Sequence, residues 1–80
     1  MLSGNILIVD DENSIRFFLQ ELLEKDGHHV TAVASGEEAL EQIPQKKFDL
    51  ALIDLKLQGI SGTEVLRGLS QESPDTVVIM

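Results

Sequence analysis

The chain has 80 residues, of which 42% are apolar and 25% charged, so it is long enough for at most one small domain. Its fourteen acidic and six basic residues give a net charge of −8. That charge argues against a segment that grips a nucleic-acid backbone, which requires clustered Lys and Arg. The absence of cysteine excludes disulfides and thiolate metal sites.

No apolar run reaches the ~18 residues of a membrane span, and the N-terminus has no basic region of the kind that begins a signal peptide. We therefore expect a cytoplasmic protein without membrane contact. The acidic balance suits a cation or a basic partner, although a solvated acidic surface is the more common explanation of such a charge.

The first two elements are a buried strand and an amphipathic helix. Residues 6–9 form an apolar run without alternation, which is typical of a strand buried on both faces. The next segment has apolar residues at helical spacing, namely Ile15, Phe18, Leu19, Leu22 and Leu23. We expect a cap at Asn13 or Ser14 and an end before Gly27. This apolar stripe predicts a helix face that packs mostly in the core. Phe17 lies outside the stripe.

Strands and helices alternate along the rest of the chain. Residues 29–33 predict a weaker strand, and Ser35 with Glu38 forms a capping-box pattern before a short helix that Pro44 ends. The remaining expected elements are a strand at residues 50–53, a loop at 55–61, a helix at about 62–71 and an apolar strand at 76–80. This order indicates a parallel sheet with right-handed crossovers and helices on both faces.

Carboxylates follow two of these strands at their carboxyl ends. Asp10 and Asp11 come directly after the first strand, and Asp54 follows the third. Ligands bind outside the carboxyl ends of the strands in open parallel sheets, so we expect these side chains to share one crevice. Two carboxylates about 4 Å apart repel by roughly 4 kcal/mol at an effective dielectric constant near 20. A hard divalent cation removes that repulsion, so the cluster predicts a magnesium site that receives a phosphoryl group. The alternative is that the acids only favour the start of the next helix.

Four motifs carry a resemblance to a known family, namely ILIVDDE at 6–12, SGEEAL at 35–40, DLALIDLKLQGISG at 49–62 and PDTVVIM at 74–80. In combination they resemble the receiver domain of two-component response regulators, over essentially the whole chain. The resemblance implies a flavodoxin-like, three-layer αβα fold whose central parallel sheet has the strand order 2-1-3-4. It also implies a phosphoprotein of signal transduction that is phosphorylated by a histidine kinase or a phosphotransfer protein.

The same resemblance implies roles for individual residues. Asp54 is the phosphoacceptor and the catalytic nucleophile. Mg²⁺ is the implied cofactor, bound by Asp11, Asp54 and the backbone carbonyl of Lys56, and by Asp10 through a water. Glu12 lies beside the site without an assigned role. Such a domain has its own autophosphorylation and dephosphorylation chemistry but is not a dedicated enzyme.

The sequence departs from the family pattern in two places. Gln58 and Gly59 stand in a loop where the family usually has a proline, so a looser loop is expected. Residues 1–80 correspond to a partial receiver that ends after the fourth strand and lacks the last helix–strand–helix portion, with the Ser/Thr and Lys that contact the phosphoryl group. We therefore expect an exposed apolar edge strand at residues 76–80, open to dimerisation. A C-terminal output domain or a partner protein is expected to receive the signal.

Two other functions stay open. A receiver-like binding or dimerisation module that is not switched by phosphorylation predicts partner binding that is indifferent to Mg²⁺ and phosphate. A magnesium-dependent hydrolase of small phosphoesters favours an acid-x-acid arrangement after the first strand, whereas Asp10 and Asp11 are adjacent. We take the phosphoacceptor module as the predicted function and the binding module as its main alternative.

Overall fold

The computed structural model describes residues 4–54, 56–57 and 60–80. Within these ranges the elements are β1 (Asn5–Val9), α1 (Asn13–Lys25), β2 (His29–Val33), α2 (Gly36–Gln42), β3 (Leu50–Ile53), α3 (Gly62–Glu72) and β4 (Val77–Ile79). This alternation confirms the predicted order of elements, with boundaries that differ from the expected ones by about one residue. The expectation for Gln58 and Gly59 lies outside the described residues.

The four strands form one parallel sheet in the order β2-β1-β3-β4, which confirms the predicted order. β1 lies between β2 and β3, and its last residue, Val9, is level with Val33 on one side and Ile53 on the other. The carboxyl ends of the three strands therefore stand at the same height. The residues that follow them are delivered to the same edge of the sheet.

Helices cover both faces of the sheet, as the three-layer prediction required. On one face, α2 and α3 contact each other and close a core with alternate residues of the strands. This core consists of Leu7, Val9, Val33, Ala39, Ile43, Phe48, Ala51, Ile53, Val65 and Leu69. α1 contacts β1 and β2. Because side chains alternate along a strand, Ile6 and Ile8 point to the face opposite Leu7, and both are buried.

The apolar stripe of α1 corrects the sequence-based prediction of a mostly buried helix face. No residue of α1 is buried, and Phe18 is 63% exposed. Ile15, Phe17 and Leu22 are exposed as well, whereas Leu19 is half-buried. The helix packs along β1 and β2, so part of the stripe touches the sheet and the remainder faces outward. Periodicity identifies an amphipathic helix, but it does not determine how much of the apolar face is covered.

The start of α1 also differs from the prediction, whereas its end agrees. The N-cap residue is Glu12, which makes no side-chain capping hydrogen bond, so neither Asn13 nor Ser14 is the cap. The Asn13 side-chain oxygen instead accepts a hydrogen bond from Arg16. Gly27 follows the helix with φ = 91°, a left-handed conformation that glycine adopts without a steric penalty.

Serine side chains cap the two helices on the other face. The Ser35 hydroxyl accepts a hydrogen bond from the backbone N–H of Glu38 at 3.2 Å, which confirms the predicted cap of α2. The Ser61 hydroxyl accepts a hydrogen bond from the backbone N–H of Glu64 at 3.3 Å at the start of α3. Each hydroxyl satisfies a backbone donor that has no partner within its helix.

β4 forms the outer edge of the sheet beside β3. Val77 and Ile79 are 60% and 54% exposed. They lie on the same face of the sheet as α1, but α1 packs against β1 and β2, at the other side of the sheet from β4. Val78 points the other way and packs against the core. The described residues therefore include the expected exposed apolar edge. Among the described residues, none of the helices has the length and apolar character needed to cross a bilayer.

Candidate functional site

The site is positioned by the level ends of β1 and β3. The backbone N–H of Asp54 donates to the carbonyl of Val9 at 2.8 Å, and that of Asp10 donates to the carbonyl of Val33 at 3.2 Å. These bonds continue the pairing of the strands by one residue. Asp10 and Asp54 are thus anchored on neighbouring strands, and Asp11 follows in the turn that leads to α1.

The structure brings the three aspartates predicted for the site together. Asp10, Asp11 and Asp54 each present a carboxylate oxygen, and these three oxygens lie within 4.8 Å of one another. Asp10 and Asp54 are half-buried, whereas Asp11 is exposed. Because the three groups carry the same charge at short separation, their mutual repulsion makes this edge of the sheet attractive to a cation.

Backbone amides orient two of the three carboxylates. The N–H of Glu12 donates to Oδ1 of Asp10 at 2.9 Å, and the N–H of Lys56 donates to Oδ1 of Asp54 at 3.0 Å. A hydrogen bond to a carboxylate is stronger than one between neutral groups, so each bond restrains the side chain that accepts it. Each of these carboxylates keeps a second oxygen for a ligand. Lys56 therefore lies beside Asp54 as expected, and the role of its carbonyl as a metal ligand stays a prediction.

The geometry and the donor set fit Mg²⁺. This ion takes six oxygen ligands at about 2.0–2.1 Å, so two of its ligands lie about 3 to 4 Å apart. The oxygens of the cluster fall within 4.8 Å, close enough for small side-chain rotations or a bridging water to complete the coordination. Carboxylate oxygens are hard ligands that suit Mg²⁺ better than a soft metal.

Arg16 belongs to this site, and sequence reasoning missed it. It lies on α1, and its guanidinium donates to the backbone carbonyl of Asp10 at 2.7 Å. The available signal was its position one turn into the helix that begins beside the acidic turn, where a long side chain can reach back. The sequence is equally compatible with an ordinary solvent-exposed arginine at that position, so only the structure identified the contact.

Comparison with known proteins gives the family. The model of the response regulator receiver domain matches residues 6–80. The chain belongs to the response regulator receiver family. Receiver domains are phosphoacceptor modules of two-component response regulators and not dedicated enzymes, and nothing in the comparisons favours the alternative of a module that phosphorylation does not switch.

Individual relatives agree with the family model. The sporulation initiation phosphotransferase F of Bacillus subtilis is 39% identical over 67 residues, which are 84% of this chain and 54% of the relative. The first three curated relatives are covered over 35%, 54% and 30% of their own lengths, so the chain spans about a third to a half of them.

Solved structures agree in fold. A receiver domain protein from Methanospirillum hungatei superposes with a TM-score of 0.92 at 37% identity, covering 99% of this chain and 63% of that one. The response regulator TrrA from Thermotoga maritima, solved in complex with Mg²⁺ and BeF, has a TM-score of 0.85 at 37% identity and covers 95% of this chain and 66% of its own.

Proposed function

We propose that Asp54 is the residue of this receiver that accepts the phosphoryl group, and that Mg²⁺ held by the neighbouring acids assists the transfer. The observation that carries the proposal is the convergence of three carboxylate oxygens within 4.8 Å at the ends of β1 and β3. Asp54 is the single acid of the cluster that β3 contributes, and its half-buried side chain is oriented by the N–H of Lys56. These features suit a nucleophile of fixed direction.

The proposed reaction transfers a phosphoryl group between side chains. A carboxylate oxygen of Asp54 attacks the phosphorus of a phosphohistidine, the P–N bond breaks, and a P–O bond forms to give an acyl phosphate. The leaving imidazole takes up a proton. In the proposed dephosphorylation, water attacks the phosphorus of the acyl phosphate, the P–O bond to Asp54 breaks, and the carboxylate, inorganic phosphate and a proton are released.

Asp11 and Asp54 are the proposed direct ligands of Mg²⁺, with the carbonyl of Lys56 as a third and Asp10 acting through a water. When bound, the ion neutralises the charge that the phosphoryl oxygens add to the acidic cluster. The bond from the Glu12 N–H to Asp10 keeps that carboxylate turned toward the cluster. The TrrA complex with Mg²⁺ and BeF supports this assignment by analogy.

The proposed partners follow from the reaction. A histidine kinase or a phosphotransfer protein supplies the phosphohistidine, and an output domain or a partner protein receives the signal. Relatives described as transcriptional regulatory proteins support an attached output domain. We propose a cytoplasmic location, since the kinase must draw on ATP, and we propose that residues 1–80 form part of a receiver. Dimerisation through β4 is proposed only for the 80-residue chain, in which β4 is an outer strand of the sheet.

The test is phosphorylation of the intact protein with acetyl phosphate, followed by its intact mass. We expect the mass of one phosphoryl group to be added with Mg²⁺ present, and no addition when EDTA replaces Mg²⁺ during the reaction. Asp54→Asn should abolish the addition because an amide does not attack phosphorus. Asp75→Asn is the matched control, since Asp75 is an exposed aspartate of the turn before β4, and it should leave phosphorylation unchanged.

Two results contradict the proposal. One is a protein that gains no phosphoryl group at any Mg²⁺ concentration. The other is equal phosphorylation of the Asp54→Asn variant and the unsubstituted protein, which would place the acceptor on another residue.

A further inference from the structure

Arg16 makes two hydrogen bonds at the start of its own helix. One guanidinium nitrogen donates to the backbone carbonyl of Asp10 at 2.7 Å, and another donates to the side-chain oxygen of Asn13. The Arg16 side chain is half-buried, although it carries a charge. A planar guanidinium that is hydrogen-bonded through both of its terminal nitrogens has little freedom to rotate, so the contact of Arg16 with Asp10 is well defined.

The carbonyl that Arg16 contacts belongs to the peptide group between Asp10 and Asp11. That peptide joins the two adjacent acids of the cluster, so its orientation sets the direction in which each leaves the backbone. The Glu12 N–H also donates to Oδ1 of Asp10 and restrains that side chain. Asp11 is exposed. The turn that carries it is restrained by the hydrogen bonds that Arg16 and the Glu12 N–H donate to Asp10.

We propose that Arg16 is a positioning residue of the cation site, which holds the Asp10–Asp11 peptide in the orientation that Mg²⁺ binding requires. The inference rests on the proposed function, because it assumes that the acidic cluster binds Mg²⁺. Partners that orient metal ligands without touching the metal typically change metal affinity by about 10–100-fold when they are removed. Arg16 fits that class, because its two hydrogen bonds go to the backbone carbonyl of Asp10 and to the Asn13 side chain, and to neither the Asp10 nor the Asp11 carboxylate.

A second effect of Arg16 has the opposite sign. Its positive charge close to the cluster repels a divalent cation, so removing the charge alone would tighten Mg²⁺ binding. Two substitutions separate the effects. Arg16→Lys keeps the charge and loses the two-nitrogen fork, whereas Arg16→Gln loses both. Positioning predicts weaker binding in both variants, and charge alone predicts unchanged binding in the first and tighter binding in the second.

The experiment measures Mg²⁺ affinity of the intact protein by isothermal titration calorimetry. We expect a roughly tenfold weaker Kd in Arg16→Lys and in Arg16→Gln. Arg67→Gln is the matched control, because Arg67 is an exposed arginine of α3 and its substitution changes the net charge by the same amount as Arg16→Gln. Phosphorylation by acetyl phosphate should recover in the Arg16 variants at saturating Mg²⁺, since the nucleophile Asp54 is untouched. Far-UV circular dichroism checks that each variant is folded.

The outcomes distinguish this inference from the proposed function. If the unsubstituted protein binds Mg²⁺ and the Arg16 variants match Arg67→Gln or bind more tightly, Arg16 does not position the site and the proposed function stands. The positioning role is also overturned if the Arg16 variants bind Mg²⁺ more weakly and their phosphorylation does not recover at saturating Mg²⁺. The substitution would then impair a step other than Mg²⁺ binding. Absence of Mg²⁺ binding in the unsubstituted protein overturns both.

Discussion

At the scale of single residues, the two adjacent acids of the β1–α1 turn are not equivalent. Asp10 is half-buried and one of its oxygens accepts the N–H of Glu12, whereas Asp11 is exposed. We propose that Asp11 binds the ion directly and that Asp10 acts through a water, a division that agrees with the greater exposure of Asp11.

This division predicts unequal losses of Mg²⁺ affinity. We expect Asp10→Asn to weaken binding about tenfold, as for a group that acts through another, and Asp11→Asn to weaken it further. Calorimetric titration of both variants beside Asp75→Asn measures the difference. A larger loss for Asp10→Asn than for Asp11→Asn would reverse the two roles.

The residue types of the site could be predicted from sequence, but their hydrogen bonds could not. The strand-end positions of Asp10, Asp11 and Asp54 follow from the hydrophobic pattern, and the parallel topology brings those ends to one edge. The contribution of Arg16 depends on how its side chain folds back along α1. A side-chain direction of that kind is set by local packing, which a single sequence does not reveal.

At the scale of elements, the helices on the two faces of the sheet are fixed by different means. α2 and α3 begin at serine caps and bury apolar residues against the core, whereas α1 begins without a side-chain cap and buries none. Both helices have an apolar side. Their burial differs because Val65 and Leu69 of α3 pack into the core with α2 and the strands, whereas α1 contacts β1 and β2.

The cap of α3 predicts a measurable loss of stability. Ser61→Ala removes the acceptor of the Glu64 N–H and should lower the free energy of unfolding by about 1 kcal/mol. Ser70→Ala is the control, because Ser70 is an exposed residue within α3, where alanine is the better helix former. Urea denaturation compares the two. Equal losses would show that the cap contributes nothing beyond helix propensity.

The approach of α2 to the loop after β3 predicts a second effect. A Cβ atom at Gly36 would lie 2.5 Å from the backbone carbonyl oxygen of Ile60, and backbone cannot rotate away as a side chain can. Gly36→Ala should therefore destabilise the fold more than Gly68→Ala, whose closest contact is a side-chain methyl of Leu40. Thermal unfolding of both variants tests the order, and a less stable Gly68→Ala protein would contradict it.

At the scale of the whole molecule, the described residues leave one face of the sheet covered and the other partly open. α2 and α3 close the first over a continuous core. On the second, Ile8 is buried while Ile79, on the same face, is 54% exposed. The site lies at the carboxyl edge of this sheet, so its geometry depends on the strand ends and on the contact of Arg16 with Asp10, and not on the exposed apolar side chains of α1.

The asymmetry predicts very different costs for two leucine substitutions. Leu7→Ala should lower the free energy of unfolding by about 3 kcal/mol, because Leu7 is fully buried in the core. Leu22→Ala should cost less than about 1 kcal/mol, since that side chain is 48% exposed on α1. Urea denaturation of the 80-residue chain compares them. A cost for Leu22→Ala close to that of Leu7→Ala would show that the outer side of α1 is covered in solution.

The central claim is that Asp54 carries the phosphoryl group beside a Mg²⁺ site formed with Asp10 and Asp11. Borohydride reduction after treatment with acetyl phosphate and Mg²⁺ tests it most directly, because reduction converts an aspartyl phosphate to homoserine at the modified position. Peptide mass mapping then locates that position. We expect homoserine at residue 54 only, and none when EDTA replaces Mg²⁺. Homoserine at another aspartate, or at residue 54 to the same extent without Mg²⁺, would contradict the account.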